Sequence, residues 1–320
     1  MAKIRLGYGS TNKSFYTWNK DFYSGIIYDS DLYEKVKELN FGLDVKLLNN
    51  RIGFSVDYYN CKTDSLIIDF KLTKTSGFAN WVGKSDISMV NNGWEIGAYG
   101  QPIKGLVNWT ASFNISFNNN KLINTKDYYT DYVDSFGDFW GCQFGGFGDD
   151  GKALFVGTDG NPTSDFDMIE WKVLGNGFPT TFLGLTNNVS YKNWDLSISM
   201  HGSFGFEIVN HQKLYSFNSM NFVKYMDGGE LLHSYSTLVN SDYIIESGDF
   251  LKIDDITLGY TLSNKIKYVN SVKIFATCNN AALFTNFTGG DPEMRTSMGH
   301  FYQETYPNTR VFLVGLDITL

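Results

Sequence analysis

Two groups of side chains in this 320-residue sequence have the chemistry to meet a ligand. The first is aromatic: Trp140, Phe144, Phe147 and Phe155 stand among glycines in WGCQFGGFGDDGKALF. Flat rings beside polar groups are a normal way to hold a sugar or a peptide; the plainer account is loop packing. The second is small and polar: Asn108, Thr110, Ser112 and Asn114 in one stretch, Asp195, Ser197, Ser199 and His201 in another. Each set is spaced by two. Facing an aqueous lumen, such residues would touch whatever passes or plugs it, or serve as solvated wall.

Other chemistry has little to build on. Asp149, Asp150, Asp159, Asn161, Asp165 and Asp167 carry the hard oxygens calcium uses, but their spacing does not match an EF-hand loop. They read as a solvated loop, and no metal is expected. His201, His211, His233 and His300 are far apart, and no GxSxG elbow, HExxH helix or Walker-type loop occurs. No enzymatic role and no cofactor are expected, although a glycosidase would need only two carboxylates. Net charge is −8 without charge blocks, so nucleic acid is not an expected partner. Cys61, Cys142 and Cys278 form neither a metal knuckle nor a CxxC pair, and three scattered cysteines do not make a disulfide framework. No apolar run is long enough for a transmembrane helix. The opening MAKIRLGYGS has no apolar signal-peptide core, so the natural start is expected to lie elsewhere.

The elements that position the polar sets are strands. Aromatics at 17% and only 5 prolines make a β-rich composition. In VNWTASFNISFN, Val107, Trp109, Ala111, Phe113, Ile115 and Phe117 alternate strictly with the polar positions, which is the side-chain period of a strand. The same alternation recurs along the chain. Phe41 to Leu47 and Ile52 to Tyr58 flank an Asn49-Asn50 turn; Trp94 to Ala98 pairs with Val107 to Asn118 across Pro102 to Gly105. Leu183 to Tyr191 and Trp194 to Met200 flank Lys192-Asn193, and Ile256 to Leu262 turns near Ser263 to Asn270 into Val272 to Cys278. Leu251 and Ile253 are out of phase with Ile256, which predicts a bulge near Asp254. Ile4 to Tyr8 opens the chain, and Phe312, Val314, Leu316, Ile318 and Leu320 close it as one apolar stripe. The segments 10–40, 61–92, 119–180, 207–248 and 283–309 read as long loops, the first with a helical turn over Asp31 to Leu39.

Short turns and long loops therefore alternate across about ten strands, the arrangement of an outer-membrane barrel. Soluble sandwiches cross over and use shorter connections. Trp94, Tyr191, Trp194 and Tyr260 near strand ends suit an interfacial girdle. The expected fold is all-β, an antiparallel up-and-down transmembrane β-barrel segment with short periplasmic turns and long external loops. The alternatives are a soluble secreted β-rich glycan-binding module and an autonomous small outer-membrane barrel.

GDFLKIDDITLGYTL (Gly248 to Leu262) resembles a hallmark strand of the SusC/RagA-type TonB-linked outer-membrane proteins of Bacteroidetes. NNAALFTNFTGGDPE and YPNTRVFLVGLDITL are similar to later motifs of that family; KIRLGYGSTN, FGLDVKLLNNRIGFSVDYYN, NNGWEIGAYG and LGLTNNVSYKNWDLSISMHGSFGFEIVN follow its order. The resemblance implies that residues 1–320 are the C-terminal part of a barrel of 22 strands. The plug domain and N-terminal strands of the family would lie outside this sequence. It implies nutrient import across the outer membrane, with an oligosaccharide or peptide as cargo. It also implies a SusD-like surface lipoprotein as lid, and TonB acting through the plug. The family commonly ends in an aromatic residue; here the last residue is Leu320. Asp291-Pro292-Glu293 matches a family motif and reads as a rigid turn in the last external loop.

Overall fold

The computed structural model describes residues 1–14, 26–28, 32–71, 80–125, 134–149, 151–213, 238–262, 269–302, 306 and 308–319. Ten strands form one sheet in sequential antiparallel order. They are β1 Ala2–Ser14, β2 Tyr33–Leu47, β3 Ile52–Asp64, β4 Ser88–Ile103, β5 Val107–Ile123, β6 Thr181–Tyr191, β7 Trp194–Phe204, β8 Phe250–Leu262, β9 Ser271–Thr285 and β10 Val311–Thr319. Each strand pairs with the next, so the expected up-and-down fold is the one that forms. Among the described residues no helix is long and apolar enough to cross a membrane, which says nothing about crossing by strands.

Directly paired residues share a face of the sheet. One face carries Ile96, Ile115, Leu183, Leu43 and Val56, and it is open: Trp94 is 48% exposed and Phe312 75%. Exposed apolar residues in continuous cross-strand rows are what a lipid-facing wall requires. Tyr191, Trp194 and Tyr260 fall in one such row near the short turns, with the last two rings 4.7 Å apart. Phe41, Tyr58, Trp94 and Phe117 form a second row toward the long loops. Ten residues of strand separate the two levels along β7, Trp194–Phe204. At about 3.3 Å per residue and the usual tilt of about 40°, that is roughly the 25 Å height of an apolar band. Asn187 interrupts the apolar side of β6, and its side-chain oxygen accepts the Trp109 indole N–H at 3.2 Å. A polar group facing hydrocarbon needs such a partner.

The short turns lie where expected. Asn49 and Asn50 adopt left-handed φ of 54° and 67°, which asparagine tolerates. The bulge expected near Asp254 is present: Ile253 and Asp255 pair with Met200 and Ser199, leaving Asp254 extra. Most of the turn expected over Ser263 to Asn270 lies outside the described residues, as does Leu320.

Several loop expectations are corrected. No helical turn forms over Tyr33 to Leu39, which is strand; Asp31 lies outside the described residues. Hydrogen-bond ladders to β1 and β3 on both sides outweigh the weak helical preference of EKVKEL. Likewise β1 runs on to Ser14, β3 to Asp64, β4 begins at Ser88 and β5 reaches Ile123. Above the lipid both faces of a strand can be polar, so the alternation that marks the spanning part disappears while the pairing continues. The segment after β5 also holds short strands, Asp138–Cys142, Phe144–Phe147, Ala153–Val156, Pro162–Thr163 and Trp171–Asn176.

Candidate functional site

The face opposite the apolar one carries the polar sets. Asn108, Thr110, Ser112 and Asn114 of β5 pair with Ser190, Asn188, Thr186 and Gly184 of β6. Those in turn pair with Asp195, Ser197, Ser199 and His201 of β7. The eight residues are thus two columns on one face, joined by a third column that the sequence reading did not name. β8 extends the patch through Thr257, Asp255 and Lys252, and β9 through Thr277 and Asn279. The signal for these was the same two-residue spacing in LTNNVSY and ITLGYTL; the asparagine at 187 and the bulge at 254 break its phase.

Long charged side chains lie flat on this face, over glycines of the strand between them. Arg5 reaches Asp57 at 2.9 Å across Gly42, where a Cβ would lie 2.2 Å from the Asp57 carboxylate. Lys273 reaches Asp195 at 2.7 Å across Gly259, where a Cβ would lie 2.5 Å from the Lys273 Cε. The arrangement keeps the wall thin and its charges neutralised against each other.

The packed core sits beyond the long-loop ends of the strands. Phe139, Cys142, Ala153, Phe155, Ile169, Val209, Leu238 and Ile244 form one cluster. Phe206, Ile208, Phe250, Phe287 and Phe301 form another. The loops that follow β5, β7 and β9 thus fold together as a cap. Long-range bonds fix them: the Phe144 N–H donates to Asp242 Oδ1 at 2.7 Å, and the Cys142 N–H to the Asn240 carbonyl at 2.9 Å. Burial pushes the Cys142 thiol up to about 11, so it acts as a small apolar side chain.

Three of the four loop aromatics come together. Phe144 packs edge-on against Phe147 (5.0 Å), Phe155 (6.3 Å) and Tyr243 (4.9 Å). Phe155 is buried at 3% exposure and belongs to the core, while Phe147 is 45% exposed. Trp140 is half-buried in Asp138–Cys142, where it pairs with Val173. The acidic loop residues make local turns: Asp159 accepts from the Asn161 backbone at 3.0 Å, and Asp165 from the Asp167 N–H at 3.2 Å. Asp150 and His233 lie outside the described residues. Among the described residues no group of three or more His, Cys, Asp or Glu is placed to hold a metal ion.

His201 does not stand alone on the wall. Its Nδ1 bonds Asp254 and its Nε2 bonds Glu293, each at 2.8 Å. Beside it Lys252 donates to Asp291 at 2.7 Å and to Glu293 at 2.6 Å, and Asn308 donates to Asp291 at 2.7 Å. Asp291 also caps the single turn Pro292–Met294 by accepting the Glu293 N–H. The Asp291-Pro292-Glu293 turn is therefore the anchor of the last external loop on the lumen side of β7 and β8. Burial by itself would raise the Asp291 carboxyl, but Lys252, Asn308 and the Glu293 N–H outweigh it and hold it below the usual range.

A second polar cluster lies higher in the cap. His211 Nε2 and His300 Nδ1 are 3.0 Å apart, and the Tyr302 ring stacks on His211 at 4.6 Å. Burial lowers both imidazoles, and for His211 the neighbouring His300 adds to it. Glu246, bonded to Lys213 and Thr288, is held low by those donors against the opposing effect of burial.

The two-faced sheet, its aromatic rows and its one-sided cap define a length of outer-membrane β-barrel wall. No family model matches the chain. It is 28% identical over 331 residues to the TonB-dependent receptor SusC of Bacteroides thetaiotaomicron, covering 89% of this chain and 32% of that protein. It is 25% identical over 352 residues to the TonB-dependent receptor P3 of Formosa agariphila, covering 91% of this chain and 34% of that protein. The chain thus spans about a third of the length of these curated relatives. Among solved structures, the RagAB peptide transporter superposes with a TM-score of 0.75 at 19% identity, covering 99% of this chain and 40% of that one. At that identity the likeness speaks for the fold. Along about nine-tenths of its length this chain is similar to the SusC/RagA-type TonB-dependent receptors, and its place is the outer membrane.

Proposed function

We propose that this chain is the C-terminal part of the barrel of a SusC-like TonB-dependent importer of oligosaccharides or peptides. The observation that carries the reading is the pairing of a polar wall, continuous across β5 to β9, with a packed cap over the same rim. The similarity to receptors named TonB-dependent supports it. The sheet ends at β1 on one side and β10 on the other. Unpaired edge groups in lipid cost several kcal/mol each, so in this reading both edges pair with further strands of the receptor. Phe144, Phe147 and Trp140 are the candidate cargo contacts, with Asn108, Thr110, Ser112, Asn114, Asp195, Ser197 and Ser199 facing the lumen or plug. His201 serves the loop anchor. A SusD-like lipoprotein would close over the cap, and TonB would act through the plug.

Deleting the receptor in its native strain and scoring growth on single glycans and on peptide mixtures tests the import reading. Loss of growth on one cargo class, restored by the wild-type gene and weakened by Phe147→Ala, is the expected result. The isolated chain supplies an independent check. Stable β-structure in plain buffer would make it a soluble module, and a folded band that shifts on boiling would make it a small autonomous barrel. Aggregation without its partner strands is expected.

A further inference from the structure

β2 to β5 continue past the Tyr58–Trp94–Phe117 row, and no register shift interrupts β2 to β4 or the upper part of β4 and β5. The outward face is therefore known residue by residue above the girdle. Two residues up it carries Leu39, Asn60, Asn92 and Asn119; four up it carries Lys37, Lys62, Val90 and Lys121 as one directly paired row. Next comes Lys35 opposite Asp64. Like charges directly opposite repel. Asp64 relieves the pair by bonding Lys37 at 2.9 Å and Lys62 at 2.7 Å, and it is the only carboxylate on this outward stretch among the described residues. Lys37 and Lys62 remain 40% and 44% exposed. The surplus is positive in a chain whose net charge is −8.

Height says what the surplus faces. Four residues span about 13 Å of strand, or about 10 Å of vertical rise at the usual tilt. The headgroup layer is about 5–8 Å thick, and a lysine stem reaches down by snorkelling. The ammonium groups thus fall at the level of outer-leaflet headgroups, on the same face as the lipid-exposed rings.

We propose that the Lys37–Lys62–Lys121 row binds the phosphate of lipid A in the outer leaflet. The inference rests on the outer-membrane placement and not on the cargo. The test uses the receptor containing this chain, released from its own membrane in mild detergent. Native mass spectrometry reads the binding of phosphorylated and of enzymatically dephosphorylated lipid A. Phosphorylated lipid A should bind the wild type better than the dephosphorylated form. The K37Q/K62Q/K121Q variant should lose about a hundredfold in affinity, at about fivefold per lysine. K121Q alone, which leaves Asp64 and its two lysines in place, should lose about fivefold. Equal binding of the two lipids, or unchanged binding by K121Q and by a triple variant that still migrates as a folded barrel, would overturn the proposal. Displacement of lipid A by equimolar inorganic phosphate would also overturn it, because the row would then be a free-anion site.

Discussion

Replacing Lys252 by methionine removes the cation that holds the last external loop. Lys252 and Asp291 are only 8% and 7% exposed, and Glu293 is 34% exposed. Taking one partner from a buried ion pair costs about 3–5 kcal/mol. Asp291 keeps the Asn308 amide and the Glu293 N–H, so the lower figure of about 3 kcal/mol applies. The loss should appear as local opening, because the β7–β8 ladder does not depend on Lys252's ammonium. Three kcal/mol is about a 150-fold change in an opening equilibrium. Hydrogen exchange read by mass spectrometry should therefore show peptides covering 291–301 accelerating by about two orders of magnitude, with Trp194–Phe204 unchanged. Lys252→Met combined with Asp291→Asn should recover part of the protection, since a neutral pair no longer leaves a buried charge. Acid should mimic the single variant. The folded Asp291 carboxyl lies below its unfolded value, so its contribution is full above about pH 4 and is lost as pH falls through the folded value. Unchanged exchange in 291–301, or equal loss throughout the sheet, would refute the reasoning.

Trp109→Phe should leave the Asn187 amide without its partner on the lipid face and cost about 1–2 kcal/mol, with Asn187→Leu in the same chain restoring it; guanidinium unfolding in lipid reads both. Phe155→Ala should destabilise the cap by about 3–5 kcal/mol, whereas Phe147→Ala should cost under about 1 kcal/mol; protease susceptibility of the cap separates them. The half-buried His211 and His300 titrate below free histidine, so the cap should hold its contribution above about pH 6.5 and lose it as pH falls below that. Exchange of the Tyr302 region between pH 7.5 and 5 would be flat if the pair were not coupled to cap stability.

The membrane-spanning wall was legible because lipid imposes one apolar side on every strand. Val107 to Asn118 shows that constraint without interruption, and even the bulge at Asp254 announced itself as a slip of phase. Above the girdle the constraint is gone. Lys35 and Lys37 then read as loop or helix, although their backbone is paired on both sides. The cap was opaque for another reason. Its contacts join residues such as Phe144 and Asp242, 98 positions apart, and no local period encodes them. The polar columns were found, but the engagement of His201 by Glu293, 92 positions on, was not.

Sidedness in this wall is an odd-or-even property of residue count. β8 holds one residue more than β7 between Asp255 and Ile253, so counting along it changes parity there and Lys252 turns inward. β9 holds two extra residues, Asn280 and Ala281, against the same stretch, and its parity is unchanged. Deleting Asp254 would let β8 run in step with β7 and leave Ile253 to Phe250 on their present sides, whereas a regular strand that kept Asp254 would place the Lys252 ammonium in hydrocarbon and Leu251 in water. A substitution alters one side chain; an odd insertion that no bulge absorbs exchanges the sides of a whole strand end. In such a wall a length change of two keeps every side chain on its side, and a change of one needs a bulge such as that at Asp254 to absorb it.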